Sequence, residues 1–464
     1  MTRALVLRDV TIEGRPGLDV RIEGGRIAEI GPALAAAGPS IDGRGGALLP
    51  GLVDHHIHLL GLAAQAASIV LDRAPDAAGF ADAIRAGAGG RPAGAWLRAT
   101  GYHERMAGEI GREALDRLAP DHRLRVQDQT GALWVLNSRA LESVVDGEPP
   151  PFVERDADGR LTGRIWRGDA WLRERIGREP PDLAAIGRTL ASFGLTGLTD
   201  ASASTDESAA GLLADAHRSG ALPQRLMLMS AGPLAPPPDG AFAVGPVKVL
   251  LDDARLPDFD DVLATIRRAR AWNRRVAVHC VTAAEFALTL AAFETAGAVA
   301  GDRIEHGGVI PPEAMATLAA LGLTVVTQPG FVFERGDRYL AEVDAADQGD
   351  LYRCASLMAA GVPVAGSSDA PYASPDPWSG VRAAIRRRTR GGGALGEHER
   401  VDPRTALRLY LGRPDAPGGE MRRVAVGEPA DLCLLKGPLA AALAEPDAEL
   451  VAATLVGGEA VYVA

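Results

Sequence analysis

Two of the nine histidines lie two residues apart in a short apolar segment near the start of the chain. The segment reads PGLVDHHIH from Pro50 and contains His56 and His58. Side chains two apart on a β-strand point to the same face, so both imidazoles could bind one ion. His55 would point the opposite way. Two such imidazoles suit a divalent cation such as zinc, although the pair by itself also fits two buried structural histidines. The pair therefore predicts a metal site only if further ligands join it.

Further candidate ligands follow other apolar segments that have the composition of buried strands. His279 lies in VAVHC, His306 lies in RIEHGG, and Asp369 lies in GSSDAP. A carboxylate in a Ser/Gly loop often only caps a turn. Beside a metal, the same carboxylate can bind the ion and accept a proton from metal-bound water, whose pKa falls toward ~7. Four histidines and one aspartate at strand ends favour the metal site.

Lysine is scarce in this chain, and one lysine lies in a predicted strand. Lys248 and Lys436 are the only lysines among the 49 basic residues. A buried lysine can lose its proton, which arginine effectively cannot. The neutral amine of Lys248 can react with CO2 to form a carbamate, an anionic group able to bridge two cations. The alternative is an ion pair between Lys248 and Asp252 or Asp253, shortly downstream.

These residues need a scaffold that brings distant strand ends together. Apolar strands alternate with amphipathic helical segments such as FDDVLATIRRARAWN and PEAMATLAALG, as is typical of parallel βα units. Eight strands are predicted, and they begin at Gly51, Leu195, Pro223, Val247, Val276, Asp302, Leu323 and Val362. They indicate an α/β fold, a (β/α)8 TIM barrel, whose C-terminal strand ends converge on one active site.

Both termini predict β-structure outside the barrel. Short alternating segments with Gly-rich turns occur in the first fifty residues, and VGEPADLCLL and VAATLVGGEAVYVA follow near the other end. Neither end has enough apolar residues for its own core, so we expect residues 1–50 and 410–464 to form one small β-sandwich. The barrel then covers residues 51–409, with residues 62–190 as an inserted cap subdomain after the first barrel strand.

The overall composition argues against several classes of protein. The net charge of −11 disfavours nucleic acid as a partner. No apolar run approaches the ~18 residues of a membrane helix, and neither a GxGxxG fingerprint nor a P-loop occurs. Three scattered cysteines form no disulfide framework, and the first residues lack a signal-peptide pattern. We therefore expect a cytoplasmic enzyme with a small-molecule substrate, no nucleic-acid or membrane partner, and the capacity to form a homo-oligomer.

The motifs PGLVDHHIH, VAVHC, RIEHGG and GSSDAP resemble, in order, the metal-site motifs of the amidohydrolase superfamily. The resemblance covers nearly the whole chain. It implies that His56 and His58 bind the more buried metal and that a carbamylated Lys248 bridges to a second metal. His279 and His306 would bind that second metal. Asp369 would complete the first site and act as the catalytic acid and base. The implied cofactor is one or two divalent ions per chain, with zinc as the expected metal.

Within this superfamily the chain is most similar to the branch that contains N-substituted formamide deformylase. The strand with VK, the long insertion and SSDAPYASPDPW carry this resemblance. The chain differs from the branch at LLDDARLPDFDD and at Ala132, two elements expected to face substrate. The candidate substrate contacts, each of which could instead be a loop or core residue, are Tyr102, His103, Gln127, Trp134, Gln328 and Trp378.

The expected reaction is hydrolysis of the C–N bond of an amide, formamide or cyclic amide by a metal-activated hydroxide. The same site could instead act on another bond, in a lactone or ester, a ring that is deaminated, or a phosphoester. A third alternative is a catalytically inactive barrel that has lost its ligands. Every ligand position is filled in this chain, which disfavours that alternative.

Overall fold

The computed structural model describes residues 4–35, 38–71, 74–177 and 182–464. The chain divides into two compact units. The first unit consists of Met1–Leu59 and Leu183–Ala464, and the second consists of Leu60–Asp182. All the predicted barrel strands and both termini fall in the first unit, which therefore contains the candidate metal ligands.

Eight parallel strands form the centre of the first unit, and each corresponds to one predicted strand. In chain order they are Leu52–Ile57, Leu195–Asp200, Arg225–Ser230, Ala243–Val249, Val276–Cys280, Arg303–His306, Thr324–Thr327 and Val364–Gly366. Each strand pairs with the next in sequence. We refer to them as the first to eighth barrel strands. The predicted α/β barrel is thus confirmed, and its strands are buried on both faces, as the near-continuous apolar runs require.

Backbone hydrogen bonds join the two ends of this sheet. The amide of Asp369, beyond the eighth strand, donates to the carbonyl of His56 in the first strand at 2.8 Å. The amide of His58 donates in return to the carbonyl of Ala370, also at 2.8 Å. The sheet is therefore nearly closed into a barrel, and the closure lies at two of the predicted metal-binding segments.

Helices follow most of the barrel strands. Those of the first unit, beyond the first barrel strand, are Leu183–Ser192, Glu207–Arg218, Phe259–Ala271, Ala283–Ala296, Met315–Leu321, Gly330–Glu334, Gly336–Glu342, Ala355–Ala359, Pro377–Arg386, Pro403–Arg408 and Leu439–Ala444. Both helical segments singled out from the sequence are present. The helix after the fifth strand begins with a capping box between Thr282 and Glu285, which anchors the turn behind His279. Among the residues that the structure describes, no helix is long and apolar enough to cross a membrane.

Two four-stranded sheets flank the barrel. One contains Leu5–Ile12, Arg15–Glu23, Arg26–Gly31 and Ser40–Asp42, and the other contains Leu48–Pro50, Leu432–Leu435, Val451–Val456 and Glu459–Val463. A common core joins them, in which Leu7 and Val20 of the first sheet cluster with Leu434 and Leu455 of the second. The predicted sandwich built from both termini is therefore confirmed.

The N-terminal sheet differs from the purely antiparallel sheet that the sequence suggests. Ser40–Asp42 pairs in parallel with Leu5–Ile12. Two hairpins turn the chain back to the direction of its first strand, and Ser40–Asp42 keeps that direction instead of reversing again. The next strand, Leu48–Pro50, then pairs with Leu432–Leu435 of the other sheet and ends just before the first barrel strand.

The second unit has its own six-stranded sheet and its own helices. Its strands are Ile69–Val70, Trp96–Tyr102, Arg123–Asp128, Leu133–Leu136, Val153–Arg155 and Leu161–Trp166. Its helices are Leu59–Ala66, which spans the boundary between the units, Ala77–Ala88, Glu104–Ala107, Arg112–Asp116, Ser138–Val144 and Asp169–Ile176. Two hydrophobic clusters, one containing Leu124 and the other Leu172, stabilise it.

Candidate metal centre

The predicted ligands lie at or just beyond the C-terminal ends of the barrel strands. His56 precedes the last residue of the first strand, and His58 follows that strand directly. Lys248 precedes the last residue of the fourth strand. His279 and His306 lie at the ends of the fifth and sixth strands, and Asp369 lies three residues beyond the eighth. Because parallel strands end at the same rim of a barrel, one region receives side chains from five strands.

His56, His58 and Asp369 converge on a single point. The Oδ1 atom of Asp369 lies 3.3 Å from Nε2 of His56 and 3.1 Å from Nε2 of His58. One potential ligand atom from each of the three residues lies within 4.8 Å of the others. The two backbone hydrogen bonds that close the barrel set this geometry, because they hold the segment of Asp369 against the first strand. The arrangement gives three candidate ligands of the types that zinc prefers.

Two of the site residues have unusual backbone conformations. Asp369 has a φ of 55° and His306 has a φ of 71°, both in the left-handed region. Such a conformation costs a non-glycine residue about 1–3 kcal/mol and often occurs at functional sites. At His306 it has a clear consequence. In a regular strand the side chains of Glu305 and His306 would point to opposite faces. Here both lie beside His56, because its ring hydrogen-bonds Glu305 and lies 4.8 Å from the ring of His306.

His279 and His306 form the other side of the cluster. Their ring centroids lie 4.5 Å apart. Nδ1 of His306 hydrogen-bonds Oε1 of Gln328 at 2.9 Å, and Nε2 of Gln328 donates to Ser367 at 2.9 Å. Because the amide oxygen of Gln328 accepts, Nδ1 of His306 carries the proton and Nε2 keeps a free lone pair. Gln328, a predicted substrate contact, is fully buried and orients His306, and its contact with substrate stays a prediction.

Glu305 and Arg303 support His56, and the sequence analysis missed both. Nδ1 of His56 hydrogen-bonds Oε2 of Glu305, whose Oε1 accepts from Nε of Arg303. Arg303 also donates to the carbonyl of His55 at 2.9 Å. These groups are buried, and such outer partners fix the tautomer and orientation of ligating histidines. The signal was present in RIEH, because an arginine and a glutamate two apart in a buried strand share one face and pair.

His58 has a weaker support of the same kind. Its Nδ1 hydrogen-bonds the hydroxyl of Ser202, just beyond the second barrel strand, at 2.9 Å. Its side chain is 23% exposed, whereas that of His56 is 1% exposed. In both histidines Nδ1 is engaged and Nε2 faces Asp369. The excluded residue His55 is fully buried, and neither of its ring nitrogens has a hydrogen-bond partner among the described residues.

The amine of Lys248 is buried and makes no hydrogen bond to any residue that the structure describes. Burial lowers the pKa of Lys248, while the charges of Glu305 and Asp369 oppose this effect. The ion pair with Asp252 or Asp253 that the sequence left open would require a hydrogen bond or close contact at Nζ, and the described residues supply none. Burial of an unpaired ammonium is costly, so the neutral amine is favoured.

Burial also keeps the clustered histidines neutral. It lowers the pKa of His56 and of His306 well below the ordinary value, and that of His279 to about 4. A positive charge on Lys248 or on a neighbouring imidazole would lower these pKa values further. Metal binding requires the neutral imidazole, so no proton would have to be displaced from these rings at neutral pH.

Three buried atoms of the cluster have no hydrogen-bond partner among the described residues. They are Nε2 of His56, Oδ1 of Asp369 and Nζ of Lys248. Native proteins satisfy nearly all such atoms, and a divalent cation would do so here by accepting electron pairs from nitrogen and oxygen. The residues present therefore fit a divalent cation.

The rim of the cluster contains an aromatic residue that the sequence analysis did not single out. Tyr372 is 59% exposed, and its ring lies 5.8 Å from the ring of His58 in an edge-to-face arrangement. Arg335 donates to the carbonyl of Tyr372 at 2.8 Å and stacks over Phe331, with 4.2 Å between its guanidinium carbon and the ring centroid. An exposed ring beside a candidate ligand is a surface that a substrate can contact.

Two other predicted substrate contacts, Tyr102 and Trp134, pack into hydrophobic clusters of the second unit. The hydroxyl of Tyr102 donates to the carbonyl of Gly108 at 2.6 Å. The indole of Trp134 donates to Asp169 at 2.8 Å. Both side chains are thus satisfied within the unit, and their contact with substrate stays a prediction.

The remaining predicted contacts also have partners within their own units. His103 caps the helix Glu104–Ala107, and Gln127 donates to the carbonyl of Gly131 at 3.2 Å. Trp378 is fully buried in the first unit, where its indole donates to the carbonyl of Phe193 at 3.0 Å. Substrate contact by these residues likewise stays a prediction.

An eight-stranded parallel barrel with clustered polar residues at its C-terminal strand ends is the architecture of a TIM-barrel enzyme. The profile of the Amidohydrolase family matches residues 40–462, and the chain belongs to this family. It is 25% identical to N-substituted formamide deformylase of Arthrobacter pascens, over 90% of this chain and 89% of the relative. It is 24% identical to the putative amidohydrolase YtcJ of Bacillus subtilis (strain 168), with the same coverage of both chains. The resemblance predicted from the four motifs is confirmed.

Solved structures show the same fold. An uncharacterized metal-dependent hydrolase from Pyrococcus horikoshii OT3 has a TM-score of 0.76 at 18% identity, over 98% of this chain and 99% of the other. N-isopropylammelide isopropylaminohydrolase from Burkholderia multivorans ATCC 17616 has a TM-score of 0.55 at 18% identity, over 99% of this chain and 98% of the other. Identities this low establish the shared fold alone, while the family assignment establishes that the chain is a hydrolase.

Proposed function

We propose that the protein is a metal-dependent hydrolase that cleaves the C–N bond of a non-peptide amide, formamide or cyclic amide. The convergence of His56, His58 and Asp369, with buried atoms that lack partners, carries this proposal. The name of the Arthrobacter relative, a formamide deformylase, and the family itself support the choice of bond.

We further propose that His56, His58 and Asp369 hold one divalent ion, with zinc as the expected metal. A second ion would be held by His279 and His306, with Lys248 as a carbamate between the two. To form the carbamate, the neutral amine adds to CO2 and releases one proton. The lowered pKa of Lys248 and its unpartnered Nζ support this step. When bound, the metal supplies Lewis-acid chemistry and lowers the pKa of water toward ~7.

Asp369 is the proposed catalytic acid and base. One of its oxygens, Oδ1, faces both histidines, so Oδ2 is the atom available for proton transfer. Oδ2 accepts a proton from the attacking water as the new C–O bond forms at the carbonyl carbon. It then gives that proton to the nitrogen as the C–N bond breaks, and the products are a carboxylic acid and an amine, which become a carboxylate and an ammonium ion when the acid proton moves to the amine. General acid–base catalysis of this kind contributes about 10²–10⁴-fold to the rate.

Metal analysis and activity assays test the proposal together. The purified protein should contain one or two divalent ions per chain. Removing them with a chelator should abolish hydrolysis of an amide panel, and adding zinc should restore it. A fully active protein without metal would contradict the metal-dependent mechanism. If the protein acted only on lactones, on rings that it deaminates or on phosphoesters in a parallel panel, the proposed metal site would stand but the proposed C–N bond would be wrong.

A further inference from the structure

The central sheet of the second unit has two unlike faces. Because side chains alternate along a strand, Leu97, Leu124 and Val126 point to one face and join a hydrophobic cluster. The opposite face of the same two strands presents Arg98 and Arg125. A row of charged residues on a partly buried sheet face needs compensation from neighbouring groups.

Arg98 and Arg125 lie directly beside each other. They are register partners on the neighbouring parallel strands Trp96–Tyr102 and Arg123–Asp128. Burial lowers the pKa of both arginines, that of Arg125 to about 10, and the charge of Arg98 is the second cause at Arg125. Like charges placed opposite each other in a sheet are destabilising.

The described residues provide no carboxylate within ion-pair distance of this pair. Asp169, the acid whose charge acts on both arginines, accepts the indole proton of Trp134 at 2.8 Å instead. Arg98 donates to Gln127 at 3.2 Å and to Ser68 at 3.4 Å. The guanidinium of Arg125 has no hydrogen-bond acceptor among the described residues, and its Nε is buried.

Buried arginines elsewhere in the chain are treated differently. Arg303 donates to the carboxylate of Glu305, and Arg353 donates to that of Glu399. Arg387 has no acid partner of this kind but donates to the carbonyls of four residues, Leu351, Tyr352, Leu395 and Gly396. Arg125 is half-buried rather than fully buried, but it has neither form of compensation among the described residues.

Tryptophan rings hold the two guanidinium groups in place. The guanidinium carbon of Arg125 lies 5.0 Å from the ring of Trp134 and 5.8 Å from that of Trp96, and that of Arg98 lies 5.6 Å from Trp134. Cation–π contact stabilises a guanidinium through the ring face. The ring face supplies no acceptor for the N–H groups at the edge of the guanidinium.

We propose that Arg98 and Arg125 together bind an oxyanion, a carboxylate or phosphate group of a small molecule, on this face of the second unit. An oxyanion accepts paired N–H bonds from a guanidinium and neutralises the repulsion between two arginines. This site does not depend on the metal centre or its reaction. The flanking rings of Trp96 and Trp134 make it detectable by tryptophan fluorescence.

The test is a titration of the full chain with inorganic phosphate and, separately, with acetate. Sodium chloride at equal ionic strength serves as the reference. We expect a saturable change in tryptophan fluorescence and, at about ten times Kd, a rise in Tm of about 1–2 °C. The anion that saturates at the lower concentration identifies the preferred oxyanion. A response no larger than that to sodium chloride, for both anions, would overturn the proposal.

Matched variants locate the site. Arg125→Gln and Arg98→Gln should each weaken oxyanion binding by at least about tenfold, the loss expected for a charge-assisted hydrogen bond. Arg123→Gln is the control, because Arg123 is an exposed neighbour on the same strand that contacts Trp96 alone of these rings. Circular dichroism confirms that each variant is folded. Unchanged binding in both folded variants, or equal loss in Arg123→Gln, would contradict the assignment.

Discussion

Both compact units leave buried polar atoms without partners among the described residues, and one group of these atoms in each unit has the opposite character to the other. In the barrel, Nε2 of His56 and Oδ1 of Asp369 are electron-pair donors that lie 3.3 Å apart. In the second unit, one such atom is Nε of Arg125, a proton donor beside a second arginine. Acceptor atoms that face each other require a cation, whereas paired guanidinium groups require an anion. Whether the unpartnered atoms donate electron pairs or protons therefore indicates whether the expected ligand is a cation or an anion.

The two regions also differ in how rigidly they are held. His56, His58 and His306 each hydrogen-bond a further side chain through Nδ1. The arginines of the second unit rest mainly on tryptophan rings, which constrain position less strictly than hydrogen bonds do. Changes in the barrel cluster should therefore have large effects on function, and changes at the arginine pair should have small effects on stability.

The largest effect is expected for Asp369→Asn. The amide has the same shape but cannot carry the proton between water and the leaving nitrogen. We expect kcat to fall about 10²–10⁴-fold, the usual contribution of an acid–base group. Steady-state kinetics on the best amide of the panel measure this. Asp415→Asn, at an exposed aspartate, is the control and should leave kcat unchanged. A fall of less than tenfold in Asp369→Asn would exclude Asp369 as the acid and base.

The two lysines provide a matched pair for the next effect. Lys248→Ala should lower activity by more than the ~10–100-fold typical of losing an outer partner of a metal ligand. Short carboxylic acids should restore part of it by taking the place of the carbamate. Lys436→Ala should be neutral, because Lys436 is exposed. Full activity of Lys248→Ala would remove the proposed carbamate bridge.

A smaller effect is expected for Glu305→Gln. Loss of the carboxylate should loosen His56 and reduce metal affinity about 10–100-fold, as measured by competition with a chelator. Glu399→Gln is a matched control, because Glu399 is also buried and binds an arginine, Arg353. Both variants should lose stability, since each removes a buried carboxylate partner of an arginine, although Arg353 keeps its ion pair with Asp350. Equal metal affinity in the two variants would show that Glu305 serves stability alone.

The smallest effect concerns Arg125→Met in buffer free of oxyanions. Methionine keeps apolar contact with the tryptophan rings and removes the repulsion from Arg98. Because Arg125 donates no hydrogen bond to the described residues, we expect the free energy of unfolding to rise by about 0.2–1 kcal/mol. Denaturant unfolding measures this against Arg123→Met. A clear loss of stability would mean that the guanidinium is satisfied without an anion.

The barrel and its ligand positions could be predicted because their signals are local. Each strand is a short apolar run, and each candidate ligand stands at the end of one, so composition and order indicate both fold and cluster. The supporting residues were harder to find. Ser202 and Gln328 touch histidines from other strands, and only the closed barrel brings them together.

The second unit was less predictable for a related reason. Tyr102 and Trp134 were predicted from the sequence as substrate contacts, whereas the structure shows that both pack within the unit. The arginine pair gave no sequence signal, because arginine is common throughout this chain and only strand register places Arg98 beside Arg125.

The sequence alone predicted the eight-stranded barrel, the terminal sandwich and the family, which are confirmed, and a short set of metal ligands, which stays a prediction. Alternation along strands and the order of motifs are properties of neighbouring residues, so they can be recognised without knowing any long-range contact. The tertiary structure decided which nitrogen of each histidine is free, which acid orients His56, and which buried atoms lack partners. Those properties depend on contacts between residues as far apart in the chain as His56 and Asp369, and only packing determines them.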